Sequence, residues 1–412
     1  QLNIFKSGSH PLKIVAPCLL GNGIQKLNDF DREEYLDYFR AMLNEKTCIK
    51  FIPASGAATR MFSDLIVLKN SIPKPNIKKI SESDIESKDN LIYFFKNLKS
   101  LPFYKKLKNY LSKDYSNLSD EEDLTEILIA LTADNKLGLV AKPKALIPFH
   151  NYMGLLRTPI YEHIQESKEL ILSNGMLSIH FTVSPEHQKA IQKRLNRISK
   201  NEVFYINSSL SHQSSKTDTV AVDMDNNPIL DENGDFAKRP GGHGALIFNL
   251  NQLDYDVVFI KNIDNVIAVP HNRESNKYKQ LVAGYFYKIQ SKLFEFAFRY
   301  KNKPNDKALK REVIKYYKKY FEITIGNDEN IFDYINRPLR VCCMVKNEGL
   351  PGGGPFFVEK NGKVSLQIVE LSQIDHNNIS NIKMINKSTH FNPVDLICGI
   401  KDFEGNKFNL LD

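Results

Sequence analysis

Along this 412-residue chain the apolar positions fall into two periods, and the switches between them sketch the architecture. Tyr35, Leu36, Phe39, Met42 and Leu43 recur at helical spacing behind Asp31 and Glu34, a pair resembling a capping box, so an N-terminal helix is predicted. Residues 47–52 form an apolar run that predicts a buried strand, and Thr59 to Leu68 predict the helix after it. Residues 70–136 turn Lys-, Ser- and Asn-rich, with one helix opened by Ser119 and Glu122 and continued by Leu124, Ile127, Leu128 and Leu131. Alternation then returns. Thr158-Pro159 opens a helix to about Ser173, a strand runs from Leu177 to Val183, Ser184-Pro185 opens a helix to about Ile198, and Val203 to Ile206 form a strand. A long polar loop, a Gly-rich helix start near Gly241 and a strand from Asp256 to Ile263 follow. Leu339 to Val345, Phe356 to Glu359 and Val364 to Leu371 predict further strands, some antiparallel.

This rhythm implies an α/β fold with a mostly parallel, Rossmann-like sheet and right-handed crossovers. Residues 47–69, 137–274 and 339–412 are expected to build that core, with 1–46 an N-terminal helical segment, 70–136 a helical insertion and 275–338 a basic helical insertion. In open sheets of this class ligands sit at the carboxyl ends of the strands.

Charge changes the picture only locally. Between Lys277 and Lys319 thirteen Lys/Arg face three Asp/Glu, a local excess larger than the net +8 of the whole chain. Val282, Phe286, Ile289, Leu293, Phe296 and Tyr300 lie in that segment at helical steps, so one stripe packs inward while the lysines face water. A solvated helical face is favoured over a nucleic-acid or membrane surface, because no aromatic stacking motif accompanies the charge. The 42% hydrophobic and 25% charged content is that of a globular protein, and no apolar run approaches the roughly 20 residues that span a bilayer. No signal-peptide pattern heads the chain, so the cytoplasm is the expected compartment. Five scattered cysteines, without C-x-x-C or Cys/His ligand spacing, read as buried thiols. Gln1 is not a start residue, which fits a native chain extending further.

Candidate chemistry begins at Phe51-Ile52-Pro53-Ala54-Ser55-Gly56-Ala57-Ala58-Thr59-Arg60, where an apolar run breaks into small residues before a helix. Small side chains there let backbone N–H groups approach an anion, the helix dipole adds partial positive charge and Arg60 adds a full one. Four more clusters follow in order: Lys142-Pro143-Lys144, running on to Arg157-Thr158-Pro159-Ile160-Tyr161-Glu162-His163; Arg239-Pro240-Gly241-Gly242-His243-Gly244, with Gln213 upstream; Lys261-Asn262-Ile263-Asp264-Asn265; and Val369-Glu370-Leu371-Ser372-Gln373.

In that order the clusters resemble the sugar-1-phosphate nucleotidyltransferases, the nucleotide-sugar pyrophosphorylases, and among them the branch handling UDP-sugars. That family has a loop ending in Gly-Thr-Arg, then Pro-Lys, a Gly-Asn-Gly-Gly turn, a Val-Asp-Asn strand end and a Val-Glu-Tyr-Ser-Glu strand. Over nearly its whole length the chain also resembles an uncharacterised bacterial domain-of-unknown-function family bearing Pro-Ala-Ser-Gly-Ala-Ala-Thr-Arg-Met and Pro-Gly-Gly-His-Gly-Ala-Leu. The first resemblance implies a nucleotide-diphospho-sugar transferase (GT-A-like) sheet and a Mg²⁺-dependent enzyme. Such an enzyme joins a nucleoside triphosphate and a sugar 1-phosphate, releasing pyrophosphate. It implies catalytic roles for Arg60 and Lys144, and nucleotide contacts from Ser55, Gly56, Ala57, Ala58, Thr59, Gln213, Gly241, Gly242, His243 and Gly244. Asp264 would bind the metal, while Lys261, Asn265 and Glu370 would meet substrate.

Structural alternatives stay open beside these roles. Lys144 also reads as a surface lysine before a turn, His243 as a helix-cap histidine, Asp264 as an Asx-turn residue and Glu370 as a strand-edge charge. Ala58 stands where the family has a second Gly, and Ala resists positive φ. That departure favours a non-catalytic nucleotide or sugar-phosphate binding protein; a glycosyltransferase using a nucleotide sugar is a further alternative on the same fold, against which Arg60 and Lys144 favour pyrophosphorylase chemistry.

Overall fold

The computed structural model describes residues 1–7, 11–56, 58–59, 61–152, 154–349 and 352–412, without the side chains of Ser7 and His243. A six-stranded mixed sheet organises the chain. Its strands are β1 (Cys48–Pro53), β2 (Met176–Thr182), β3 (Tyr205–Ser211), β4 (Val257–Lys261), β5 (Leu339–Cys342) and β6 (Asp395–Gly399), in the order β5-β6-β4-β1-β2-β3. β4, β1, β2 and β3 run parallel. β6 is antiparallel to both β4 and β5 and interrupts the parallel run. The sheet is therefore mixed where a mostly parallel one is expected, because β6, for which the apolar pattern gives no strand, runs against both of its neighbours.

Helices cover the sheet where their apolar stripes demand it. They are α1 (Arg32–Glu45), α2 (Pro159–Ile171), α3 (Gln188–Ser199), α4 (Arg273–Asn302) and α5 (Lys307–Tyr320). Phe39 and Met42 of α1, Leu170 and Ile171 of α2, and Ala283 and Phe286 of α4 pack with Val257 and Phe259 of β4. On the opposite face Leu246 and Leu253 meet Ile49, Phe51 and Val258. The basic segment divides into α4 and α5, whose Ile289, Leu293, Phe296, Leu309 and Val313 share one cluster, as the stripe predicts. One lysine departs from the predicted solvated face: Lys279 is buried.

Other departures have local causes. Asp31 makes no side-chain cap at the start of α1; its carboxylate instead accepts the Tyr35 hydroxyl at 3.4 Å. The helix expected from Ser119 begins at Thr125, whose N–H is taken by Asp123 at 2.9 Å. The helix expected from Thr59 begins at Ser63, and its Leu65 and Leu68 pack with Ile127, Leu128 and Leu131 rather than on the central sheet. β3 starts later than expected and runs on through polar Ser208, Ser209 and Ser211, since full pairing with β2 outweighs their weak strand preference. The N-terminal segment, expected to be helical, supplies strand Lys13–Pro17 to a separate antiparallel sheet with Gly354–Lys360 and Lys363–Val369. Of the five free cysteines only Cys18 and Cys398 are buried.

Candidate functional site

Parallel pairing delivers the ends of β1 and β4 side by side, and the chain leaves both strands into loops carrying predicted site residues. The Ile263 N–H reaches the Pro53 carbonyl at 3.3 Å, so the small-residue loop and the Asp264 turn start as neighbours. A third segment closes on them. The Ala58 N–H donates to the Lys142 carbonyl at 3.0 Å, and two residues on, Lys144 opens a short 3₁₀ turn after Pro143. Lys144 Nζ then lies 2.5 Å from Asp264 Oδ2, the side chains being 24% and 40% exposed. A partly solvated ion pair between residues 120 positions apart thus sits at the carboxyl ends of parallel strands.

The loop itself departs from an open cradle. Ala58 is wholly buried and its amide is committed to Lys142, so that N–H is not offered to a ligand. Thr59 is exposed, with its hydroxyl 3.5 Å from the Val140 carbonyl. A Cβ on Gly56 would meet nothing within 4 Å. Ser55 flanks it on the same loop, while Ala57 and Arg60 lie outside the described residues. Beyond the Asp264 turn, Asn265 Nδ2 donates to the Pro393 carbonyl at 2.8 Å.

Gln213 and the Gly-rich turn form a second group, at the carboxyl end of edge strand β3. Two strand spacings, roughly 10 Å, separate β3 from β1 across the sheet. Gln213 Nε2 donates to the Gly241 carbonyl at 3.1 Å and to Thr217 Oγ1 at 3.3 Å. A side chain at Gly241 would press its Cβ to 2.6 Å from the Thr217 carbonyl oxygen, so this glycine permits a loop-to-loop contact. Gly242 and Gly244 have open space where a Cβ would stand, and the His243 side chain lies outside the described atoms. Glu370 caps a 3₁₀ turn in a capping box with Gln373 at the end of the second sheet, 3.5 Å from where a Cβ on Gly353 would stand; the Gly353 carbonyl accepts the Asn392 N–H, one residue before the Pro393 that Asn265 reaches.

Lys261 goes elsewhere. It is buried, and its amine is 2.8 Å from Glu166 Oε1 and 3.8 Å from Asp395 Oδ2. Lys50 of β1 and Lys279 of α4 also reach Glu166, and Lys279 lies 2.9 Å from Asp395. Burial alone would raise the Glu166 carboxyl; the three ammonium groups overcome that and hold it well below the usual carboxylate range. Burial lowers Lys50 to about 8, against the pull of Glu166. Two carboxylates thus serve three lysines beside β4, whose end leads into the Asp264 turn. His163 ties this knot to the site. Its Nε2 lies 3.1 and 3.2 Å from the Asn262 and Ile263 carbonyls, which can only accept, so Nε2 carries the hydrogen. Burial, and then Lys50, hold its pKa well below the ordinary value, so the ring stays neutral.

No motif in the sequence points to His180 of β2. Its ring nitrogens meet Ser209 Oγ at 2.7 Å and Ser211 Oγ at 2.8 Å, Asn249 also donates to Ser211 at 2.8 Å, and burial lowers the imidazole to about 4. A signal for the knot was present in the chain. Lys50 and Lys261 each interrupt an apolar strand, and His163 and Glu166 share a helical stripe with Leu170.

A family model described as a domain of unknown function, DUF4301, matches residues 1–412. The chain belongs to the DUF4301 family. No curated protein matches this DUF4301 chain. Among solved structures it is similar to a mutant UDP-glucose pyrophosphorylase from Leishmania major in complex with UDP-glucose, at 11% identity and TM-score 0.34. That match covers 97% of this chain and 58% of the neighbour, so the chain spans under two thirds of its length. A second is the uridine diphosphate N-acetylglucosamine pyrophosphorylase from Trypanosoma brucei in complex with inhibitor, at 14% identity and TM-score 0.36, covering 91% of this chain and 67% of that one.

Among the described residues no group of three or more His, Cys, Asp or Glu could hold a metal ion. Asp264 offers a single hard oxygen ligand, which suits Mg²⁺ when substrate phosphates and water supply the rest.

Proposed function

We propose that this DUF4301 chain is a nucleotidyltransferase on a sheet of the nucleotide-diphospho-sugar transferase type. A phosphate oxygen of a sugar 1-phosphate attacks the α-phosphorus of a nucleoside triphosphate, the bond to the β-phosphate bridging oxygen breaks, and pyrophosphate leaves. The observation that carries this reading is the Lys144–Asp264 ion pair at the carboxyl ends of β1 and β4, beside the small-residue loop. Phosphoryl chemistry needs positioned charge more than covalent groups. Lys144 supplies a cation for the phosphoryl oxygens, and the surplus lysine of the buried knot adds positive potential at the end of β4. Asp264 would hold Mg²⁺, whose contribution is neutralising phosphate charge. Gln213 and Gly241 to Gly244 would bound the nucleoside side, with Ser55, Gly56, Thr59 and Arg60 toward the phosphates and Asn265 and Glu370 toward the sugar.

Pyrophosphate release, followed across the four triphosphates and a set of sugar 1-phosphates with Mg²⁺, tests the reading. Lys144→Ala is expected to slow turnover roughly ten- to a hundredfold or more, the size of one charge-assisted hydrogen bond. A second reading, non-catalytic nucleotide binding, is favoured by the commitment of the Ala58 amide to Lys142. Thermal stabilisation by nucleotides without any pyrophosphate would select it, and neither response would defeat both.

A further inference from the structure

Three arginines converge on a cavity that the proposed reaction does not use. Arg157 ends strand Leu155–Arg157, Arg194 and Arg197 lie on α3, and with Tyr161, Ile198 and Glu202 they line a cavity of about 420 Å³. Arg194 to Glu202 lead into the start of β3, the opposite end of that strand from Gln213. Helix α3 carries Lys189, Lys193, Arg194 and Arg197 and no acid. Among the described residues none of the three arginines has an ion-pair partner, and the Nε atoms of Arg157 and Arg194 are shut from solvent without an acceptor. Glu202 is the one carboxylate in the lining, and it accepts Gln165 Nε2 at 2.7 Å. Burial lowers the Arg194 pKa, and the charges of Arg197 and Arg157 lower it further, so the like charges do act on one another.

We infer that this cavity binds a small phosphorylated molecule, its phosphate held between Arg157, Arg194 and Arg197. Guanidinium forks match phosphate oxygens, and three cations against one carboxylate leave a surplus suited to a phosphate monoester, which carries a charge of about −1.5 to −2 at neutral pH. Leu156 and Ile198 give the organic part an apolar wall. The volume is within the range of small-ligand pockets, roughly 300–1,000 Å³. A nucleic-acid strand fits less well. The Arg157 guanidinium already covers the Tyr161 ring at 3.9 Å, so that face is not offered for base stacking.

Calorimetric titration of the full chain with phenyl phosphate and with inorganic phosphate tests the inference, in the wild type and in Lys144→Ala to separate this cavity from the strand-end site. Binding is expected in both backgrounds, and Arg194→Gln is expected to weaken it roughly tenfold or more. Asn201→Asp keeps all three arginines but adds a carboxylate to the lining, and is expected to weaken binding as well, with an unchanged melting curve as the folding control. The inference is overturned if neither probe binds, if Arg194→Gln and Asn201→Asp bind like the wild type, or if Lys144→Ala alone abolishes binding. It is also overturned if short single-stranded RNA binds, phosphate esters do not, and Lys189→Gln/Lys193→Gln removes the RNA.

Discussion

Replacing Glu166 by Gln probes the buried charge knot without opening a cavity, since the two side chains have nearly the same volume. Glu166 receives Lys50, Lys261 and Lys279, and its loss as an anion leaves Asp395 to serve Lys261 and Lys279 and leaves Lys50 without a carboxylate among the described residues. Removing one partner of a buried ion pair typically costs about 3–5 kcal/mol, because the remaining charge is desolvated and uncompensated. Part of that cost can be shed by deprotonating Lys50, which burial already lowers to about 8 from an ordinary 10.5. The sign follows directly. Between the folded and unfolded pKa the unfolded chain binds a proton that the folded chain does not, so stability rises with pH and falls as pH drops through the folded value. In Glu166→Gln the folded value drops further, which extends this slope into the neutral range. Far-UV circular dichroism against urea suits the measurement, as the chain has no Trp to report by fluorescence. The expected loss is about 3–5 kcal/mol near neutral pH and roughly half that in alkaline buffer, with most of it recovered in Glu166→Gln/Lys50→Met. A loss under about 1 kcal/mol, insensitive both to pH and to the second substitution, refutes the account.

Three further outcomes are expected. Burial holds His180 at about 4 against an ordinary 6.5, so stability falls as pH drops through that window, by up to about 3 kcal/mol. His180→Gln should flatten the urea midpoint against pH there, while His163, shifted the same way, keeps a residual slope. Gly284→Ala should destabilise by roughly 3 kcal/mol despite the helix propensity of Ala, because its Cβ would run into the Tyr35 carbonyl where α4 crosses α1; an unchanged melting temperature would contradict this. Asp264→Asn should leave the fold intact while raising the Mg²⁺ concentration needed for half-maximal pyrophosphate release roughly tenfold or more, and an unchanged requirement would remove Asp264 from the metal's ligands.

Much of the framework is legible in the chain because short-range periodicity decides it. The apolar runs at residues 47–52 and 177–183 lie within a residue or so of β1 and β2, and the stripe through Phe286, Leu293 and Phe296 faces inward in α4. β6 is not legible in the chain although Leu396-Ile397-Cys398 is apolar, since so short a run carries no period of its own. The expected β3 begins and ends too early because Ser and Asn read as loop. Only the pairing with β2, and the hydrogen bonds from His180 to Ser209 and Ser211, make those residues a strand.

Residue order and periodicity suffice to say which stretches become strands and helices, where small residues break them, and that several cationic and acidic side chains fall near strand ends. Which of those charges meet is set by the packing of distant elements. Lys144 pairs with Asp264 across 120 positions, whereas Lys261, three residues before Asp264, turns inward to Glu166. Local pattern sets the direction of a side chain relative to its own element. Its partner, and the water it keeps or loses, depend on how distant elements pack.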